Sequence, residues 1–160
     1  MLLWYAGVSV LLVVNVFRSS GIDYRIVAAG ALLPLVVDAP FGHRAYAHTL
    51  LFAVAVLVIV MIAGIGRSRL VQRRLLCLPI GVFCGLVLSG AWAGGDAFWW
   101  PLLGADIGSE PLLPEWWIVV LEELAGLVAC WWVVGQFDLY LPGPRQEFVR
   151  TGRLRETSAP

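Results

Sequence analysis

Leu32-Leu33-Pro34-Leu35-Val36-Val37-Asp38-Ala39-Pro40-Phe41-Gly42-His43-Arg44-Ala45-Tyr46-Ala47-His48-Thr49 joins two apolar runs through a short polar connector. Ile26 to Val37 precedes the break, and Leu50 to Ile65 follows it and closes at Gly66. Apolar run, polar break, apolar run is the pattern of helices that cross a bilayer and turn at its surface. Both histidines of the chain, His43 and His48, stand in this connector behind Asp38. Imidazole and carboxylate at such spacing are raw material for a zinc or other divalent-metal site. The plainer reading is an interfacial loop whose polar groups face water, since His-x4-His is a weaker sign than His-Glu-x-x-His.

Outward from the connector the pattern repeats. Hydrophobic residues make up 60% of the chain and charged residues 14%, and mean hydropathy is +0.84. That composition predicts an all-α integral membrane protein of one domain. The formal net charge of zero leaves no basic footprint for nucleic acid. Leu2 to Phe17, Leu50 to Ile65, Leu75 to Ala93 and Trp116 to Phe137 are the main apolar runs, and 26–37 is shorter, with Pro34 near its end. The expectation is a bundle of four to five transmembrane helices over 1–140, with 26–37 a short or broken one. Asp23 is placed to cap it. The glycines of the fourth run (Gly81, Gly85, Gly90) favour close packing, and Phe98-Trp99-Trp100-Pro101 reads as an aromatic anchor at headgroup level. Residues 141–160 read as a basic tail, disordered or lying on the membrane surface. Cys77, Cys84 and Cys130 lie inside apolar runs and read as small buried hydrophobes without a disulfide. The first run lacks a basic flank and a small-residue cleavage site, so no cleavable signal peptide is expected.

Arginine placement predicts orientation. Arg67, Arg69, Arg73 and Arg74 read as a loop that forms one basic cluster, the tail forms a second, and the 94–115 loop is acidic. The positive-inside rule puts both basic clusters in the cytoplasm and the Asp38–His48 connector outside. Arg44 is then the exception, which a partner such as Asp38 or a lipid phosphate would explain. Tyr5, Asp38, His43, His48, Ser89, Trp92 and Asp96 converge on the outer level. Glu122 and Glu123 fall about a third of the way into the last run, and carboxylates at that depth are functional candidates. Neighbours on a helix diverge by about 100°, so the two must point apart.

The chain resembles the bacterial membrane-bound metal-dependent hydrolases of the inner membrane. The resemblance covers most of 1–104. It rests on Met1-Leu2-Leu3-Trp4, on Gly30-Ala31-Leu32-Leu33-Pro34 with Asp38 and Pro40, and on His48-Thr49-Leu50-Leu51-Phe52. Leu78-Pro79-Ile80-Gly81-Val82, Gly90-Ala91-Trp92 and Phe98-Trp99-Trp100-Pro101-Leu102 continue it. Asp38 and His48 match positions that the family uses as metal ligands, and His43 matches less closely. Ligand-type residues of the family are replaced here by Tyr5, Leu35, Gly85 and Ser89. The resemblance implies a multi-pass protein of the bacterial inner membrane, and the arginines put its C-terminus in the cytoplasm. Metal-dependent hydrolysis is expected to be lost or impaired, leaving a lipid- or partner-binding role. The alternative is an active hydrolase on a lipid-like substrate at the outer face, with a divalent metal such as zinc held by Asp38, His48 and His43 and possible help from Asp96. A small transporter or channel subunit is the third reading, and the missing inverted repeat speaks against it.

Overall fold

Helices form where the apolar runs stand, and local caps set where several of them begin. A computed structural model describes residues 1–17, 21–94, 98–102 and 110–154. We label the helices α1 (Trp4–Phe17, its first turn Trp4–Val8 π-helical), α2 (Tyr24–Asp38), α3 (Leu50–Gly64), α4 (Arg69–Leu88), α5 (Ala91–Gly94), α6 (Trp116–Gln136) and α7 (Pro142–Thr151). No strand forms among the described residues. The Asp23 carboxylate caps α2 by accepting the Arg25 N–H at 3.2 Å. The Thr49 hydroxyl caps α3 by accepting the Phe52 N–H at 3.0 Å. Such caps satisfy donors that the first helical turn leaves without partners.

Among the described residues three helices are long and apolar enough to cross a membrane: Tyr24–Phe41, Arg69–Leu88 and Trp116–Gln136. Trp4–Phe17 and Leu50–Gly64 are shorter apolar helices. This corrects the expectation for 26–37, which lies inside one of the long helices. The Asp23 cap starts α2 early, Pro34 does not stop it, and a 3-10 turn, Ala39–Phe41, extends it. The fourth helix is also shifted. It takes in Arg69, Arg73 and Arg74, which read as a loop in the sequence, and it ends at Leu88. Arginine is a good helix former whose long stem lets its charge reach the bundle end. Gly90 then turns the chain with φ 67°.

The bundle centre is the contact between α2 and α4, made backbone to backbone. A methyl group on Gly81 would land on the Val27 carbonyl, one on Gly85 on the Ala31 carbonyl, and one on Gly30 on the Leu78 carbonyl. Small residues facing one another let helices approach this closely, which favours dispersion contacts in an apolar solvent. Val13, Tyr24, Val27, Cys77, Val133 and Phe137 pack together toward one end of the bundle. Tyr5 and Ala31, with Trp4, Leu35 and Leu88 around them, pack toward the other. Helix α6 is held mainly by α1, through Gly126 against the Leu3–Trp4 backbone and Gly7 against Gly126 and Cys130. Its Leu121, Leu124, Val128 and Trp131 face outward and stay exposed. The three cysteines are free, and Cys77 is buried.

The stretch expected to be a disordered or surface-lying tail contains α7, and its chain continues into the bundle. Gly152, with φ 72°, accepts the Tyr24 N–H on its carbonyl at 2.8 Å, and Leu154 is buried in the cluster around Val13. Residues 155–160 lie outside the described residues. The docking fits a Pro at the helix start and a left-handed Gly past its end, a boundary pattern that physical chemistry favours.

Candidate functional site

Asp38 is the last residue of α2 and has no exposed surface. The connector folds back over it. Its Oδ2 accepts the Ala45 N–H at 2.8 Å and pairs with His48 Nδ1 at 2.6 Å, while Oδ1 accepts the Ala47 N–H at 3.1 Å. A carboxylate is buried at this depth only when donors meet its oxygens, and here three donors do. Facing a carboxylate, His48 Nδ1 carries the hydrogen and donates it, which leaves Nε2 as the ring's acceptor. His48 is itself buried. Burial holds its pKa below the ordinary value of 6.5, outweighing the hydrogen bond and charge of Asp38, which act the other way.

Arg44 ties the same connector to two other segments. Its Nη1 donates to Glu110 Oε2 at 3.0 Å and its Nη2 to the Ser89 carbonyl at 2.8 Å. The backbone repeats the link, with the Arg44 N–H donating to the Glu110 carbonyl at 2.9 Å. The partner foreseen for Arg44 was Asp38 or a lipid phosphate; the structure gives Glu110. The acidic character of 94–115 was the available signal, because a lone cation at one level of a bilayer seeks a carboxylate at that level. Leu50 N–H donates to the Phe98 carbonyl at 2.9 Å, and Tyr46 meets Trp100 edge to face with centroids 5.7 Å apart. Phe98 is buried rather than held out as an anchor.

Other candidates fall differently. His43 stands apart from the Asp38–His48 pair in its bonding: its Nδ1 lies 2.9 Å from the Phe41 carbonyl, and its backbone bridges to Pro111. Asp96 lies outside the described residues. Glu123 takes the Met1 ammonium and the Leu3 N–H. The Glu122 Oε2 is buried without a hydrogen bond. Arg44 Nε is the other buried side-chain polar atom without a partner among the described residues.

No family model matches the chain, and neither a curated protein nor a solved structure matches it.

The site's own geometry therefore carries the reading. Among the described residues no three His, Cys, Asp or Glu side chains gather as a metal-holding group. A hydrolytic zinc site uses about three protein ligands and an open position. Here both Asp38 oxygens accept hydrogen bonds, and His43 Nδ1 faces the Phe41 carbonyl. The positions where the resemblance expects further ligands are filled by packing. Tyr5 and Leu35 lie in one apolar cluster. Gly85 abuts the Ala31 backbone. The Ser89 hydroxyl donates to the Leu86 carbonyl at 2.8 Å and accepts the Ala91 N–H at 3.3 Å.

Proposed function

We propose that this chain is a multi-pass membrane protein with a lipid- or partner-binding role, and that its Asp38–His48 pair holds the connector closed instead of carrying out hydrolysis. The observation behind this is the engagement of Asp38: three donors meet its two oxygens, and none of its surface is exposed. A carboxylate so engaged serves as a staple between the end of α2 and the start of α3. The membrane setting is supported by the three long apolar helices and by outward apolar side chains along α6. We assign the inner membrane of a bacterium from the resemblance, and a cytoplasmic C-terminus from the arginines gathered at the α7 end.

A second reading has one observation in its favour. An imidazole fixed by a carboxylate at Nδ1 offers Nε2 to a metal or a proton, an arrangement common around metal sites. In that reading the pair is a remnant or a working part of a metal-dependent hydrolase. Metal analysis of the detergent-purified protein separates the two. The structural reading expects no stoichiometric metal in the native chain. One tightly held metal per chain, lost in both His48→Gln and Asp38→Asn, would replace it with the hydrolase reading.

A further inference from the structure

The end of the bundle opposite the connector carries a cavity of about 320 Å³. Arg73 and Arg74 line it from α4, and Arg150 and Arg153 line it from α7 and the residues just after. One carboxylate, Asp23, is among the lining groups, and it is buried. Its charge is matched within the protein. Asp23 Oδ2 takes Arg74 Nε and Nη2, each at 2.8 Å, and its Oδ1 takes Arg25. Burial alone would raise the Asp23 pKa, but the hydrogen bonds from Arg25 and Arg74 hold it below the ordinary value. Among the described residues Arg73, Arg150 and Arg153 form no ion pair.

This concentration of like charge is a product of specific docking. Gly152 sits against Asp23 so closely that a methyl group there would overlap the carboxylate. Arg25 Nη1 donates to the Val149 carbonyl, Tyr24 N–H donates to the Gly152 carbonyl, and Leu154 is buried. These contacts bring Arg150 and Arg153 beside Arg73 and Arg74 against their mutual repulsion. A bound anion would offset that repulsion. The guanidinium fork matches phosphate oxygens two at a time, and the chain has arginine throughout and no lysine.

Apolar groups beside the charges narrow the anion's source. Leu70 and Val71 line the same cavity and are exposed, and the exposed Val149 stands next to it on α7. Charge beside exposed aliphatic surface suits a phosphate that carries acyl chains better than a free ion. We propose that this cavity binds the phosphate of an anionic phospholipid, with the acyl chains lying along the first turns of α4. The site rests on the membrane reading above and names its lipid class. Basic pockets at the ends of membrane helices are recognised sites for such headgroups.

The test uses the full chain, delipidated in detergent. Binding is measured by native mass spectrometry against phosphatidylglycerol, phosphatidylcholine and inorganic phosphate. The double variant Arg150→Gln/Arg153→Gln is compared with Arg67→Gln, which lies outside the cavity. Preference for phosphatidylglycerol over phosphatidylcholine is expected, falling roughly tenfold or more in the double variant and not in Arg67→Gln. Circular dichroism of both variants establishes that they retain their helices, and Arg73→Gln gives an independent probe on α4. Equal binding of the two lipids, or full retention in the Arg150/Arg153 and Arg73 variants, overturns the site. Inorganic phosphate that binds as tightly and displaces the lipid overturns the lipid source. Alkaline carbonate extraction of native membranes keeps the two readings apart: a protein released by it is not membrane-integral, whereas one that stays behind yet ignores headgroup charge refutes the lipid site alone.

Discussion

Asp38 uses both of its oxygens, and its substitutions follow from that count. Asparagine keeps one oxygen and turns the other position into a donor, so a backbone N–H of the connector meets an N–H. The expected cost of Asp38→Asn is about 1–3 kcal/mol, because a buried donor loses its acceptor. Asp38→Leu removes all three interactions and should cost roughly 3–5 kcal/mol. Melting temperatures in detergent test the order Asp, Asn, Leu; an Asn variant as stable as the native chain would mean that the carboxylate is not the staple. His48 gives a pH signature. Its folded form binds a proton less readily than the unfolded chain, so between its lowered pKa and 6.5 the unfolded state holds more protons. Stability is then fully present above pH 6.5 and declines as pH falls through that window, by at most about 1.4 kcal/mol per pH unit. Melting curves across that window should slope for the native chain and flatten for His48→Gln. Asp38 and His48 stood out as candidates in the sequence, since a carboxylate and an imidazole flank a short break between apolar runs, and the fold pairs them. The further donors on Asp38 were not legible, because they are backbone groups of Ala45 and Ala47. Glu110 was not legible as the Arg44 partner either: the two are 66 residues apart, and only the folded chain selects one acid from an acidic loop.

At the level of the helices, the α2–α4 contact limits what side chain Gly85 can be exchanged for. Gly85 lies against the Ala31 backbone, so a histidine there would force the two helices apart. The glycines of the fourth apolar run announced close packing in the sequence; Gly81 and Gly85 meet that expectation, whereas Gly90 lies past the end of α4 with nothing within 4 Å of an added methyl. Which helix they face could not be read from a single run, because every apolar run offers a similar partner surface. The positions of Arg69, Arg73 and Arg74 were misjudged for a related reason. Charge marked them as a loop, whereas helix propensity and the length of the arginine stem allow a helix to carry them at its end. Gly81→Ala tests the contact. Alanine improves helix propensity by about 1 kcal/mol. The added methyl would meet the Val27 carbonyl, a backbone atom that cannot rotate away, and overpacking costs about 1–3 kcal/mol. A net loss of thermal stability is expected. Gly135→Ala, where nothing lies within 4 Å of the new methyl, should be neutral or stabilising. Equal behaviour of the two variants would show that α2 and α4 do not touch at Gly81.

Across the whole molecule, charge separates along the bundle axis. Arg25, Arg67, Arg69, Arg73, Arg74, Arg145, Arg150 and Arg153 belong to the end where α2 and α4 begin and α7 docks, whereas Arg44 sits with the connector. The connector end also holds Asp38 and Glu110, which ordered contacts engage. Antiparallel succession of α1, α2, α3, α4 and α6 places His43 and Gln146 at opposite ends, so one labelling experiment addresses both orientation and bundle. In a background with Cys77, Cys84 and Cys130 changed to alanine, His43→Cys and Gln146→Cys are exposed in turn to a membrane-impermeant maleimide. With the arginine-rich end in the cytoplasm, His43→Cys should react on intact cells and Gln146→Cys only after permeabilisation. The reverse outcome keeps the bundle and inverts it, which would move the Asp38–His48 connector to the cytoplasm and the arginine-lined cavity to the outer leaflet. Reaction of both sites on intact cells would contradict the bundle itself, because residues at its two ends would then share one side of the membrane.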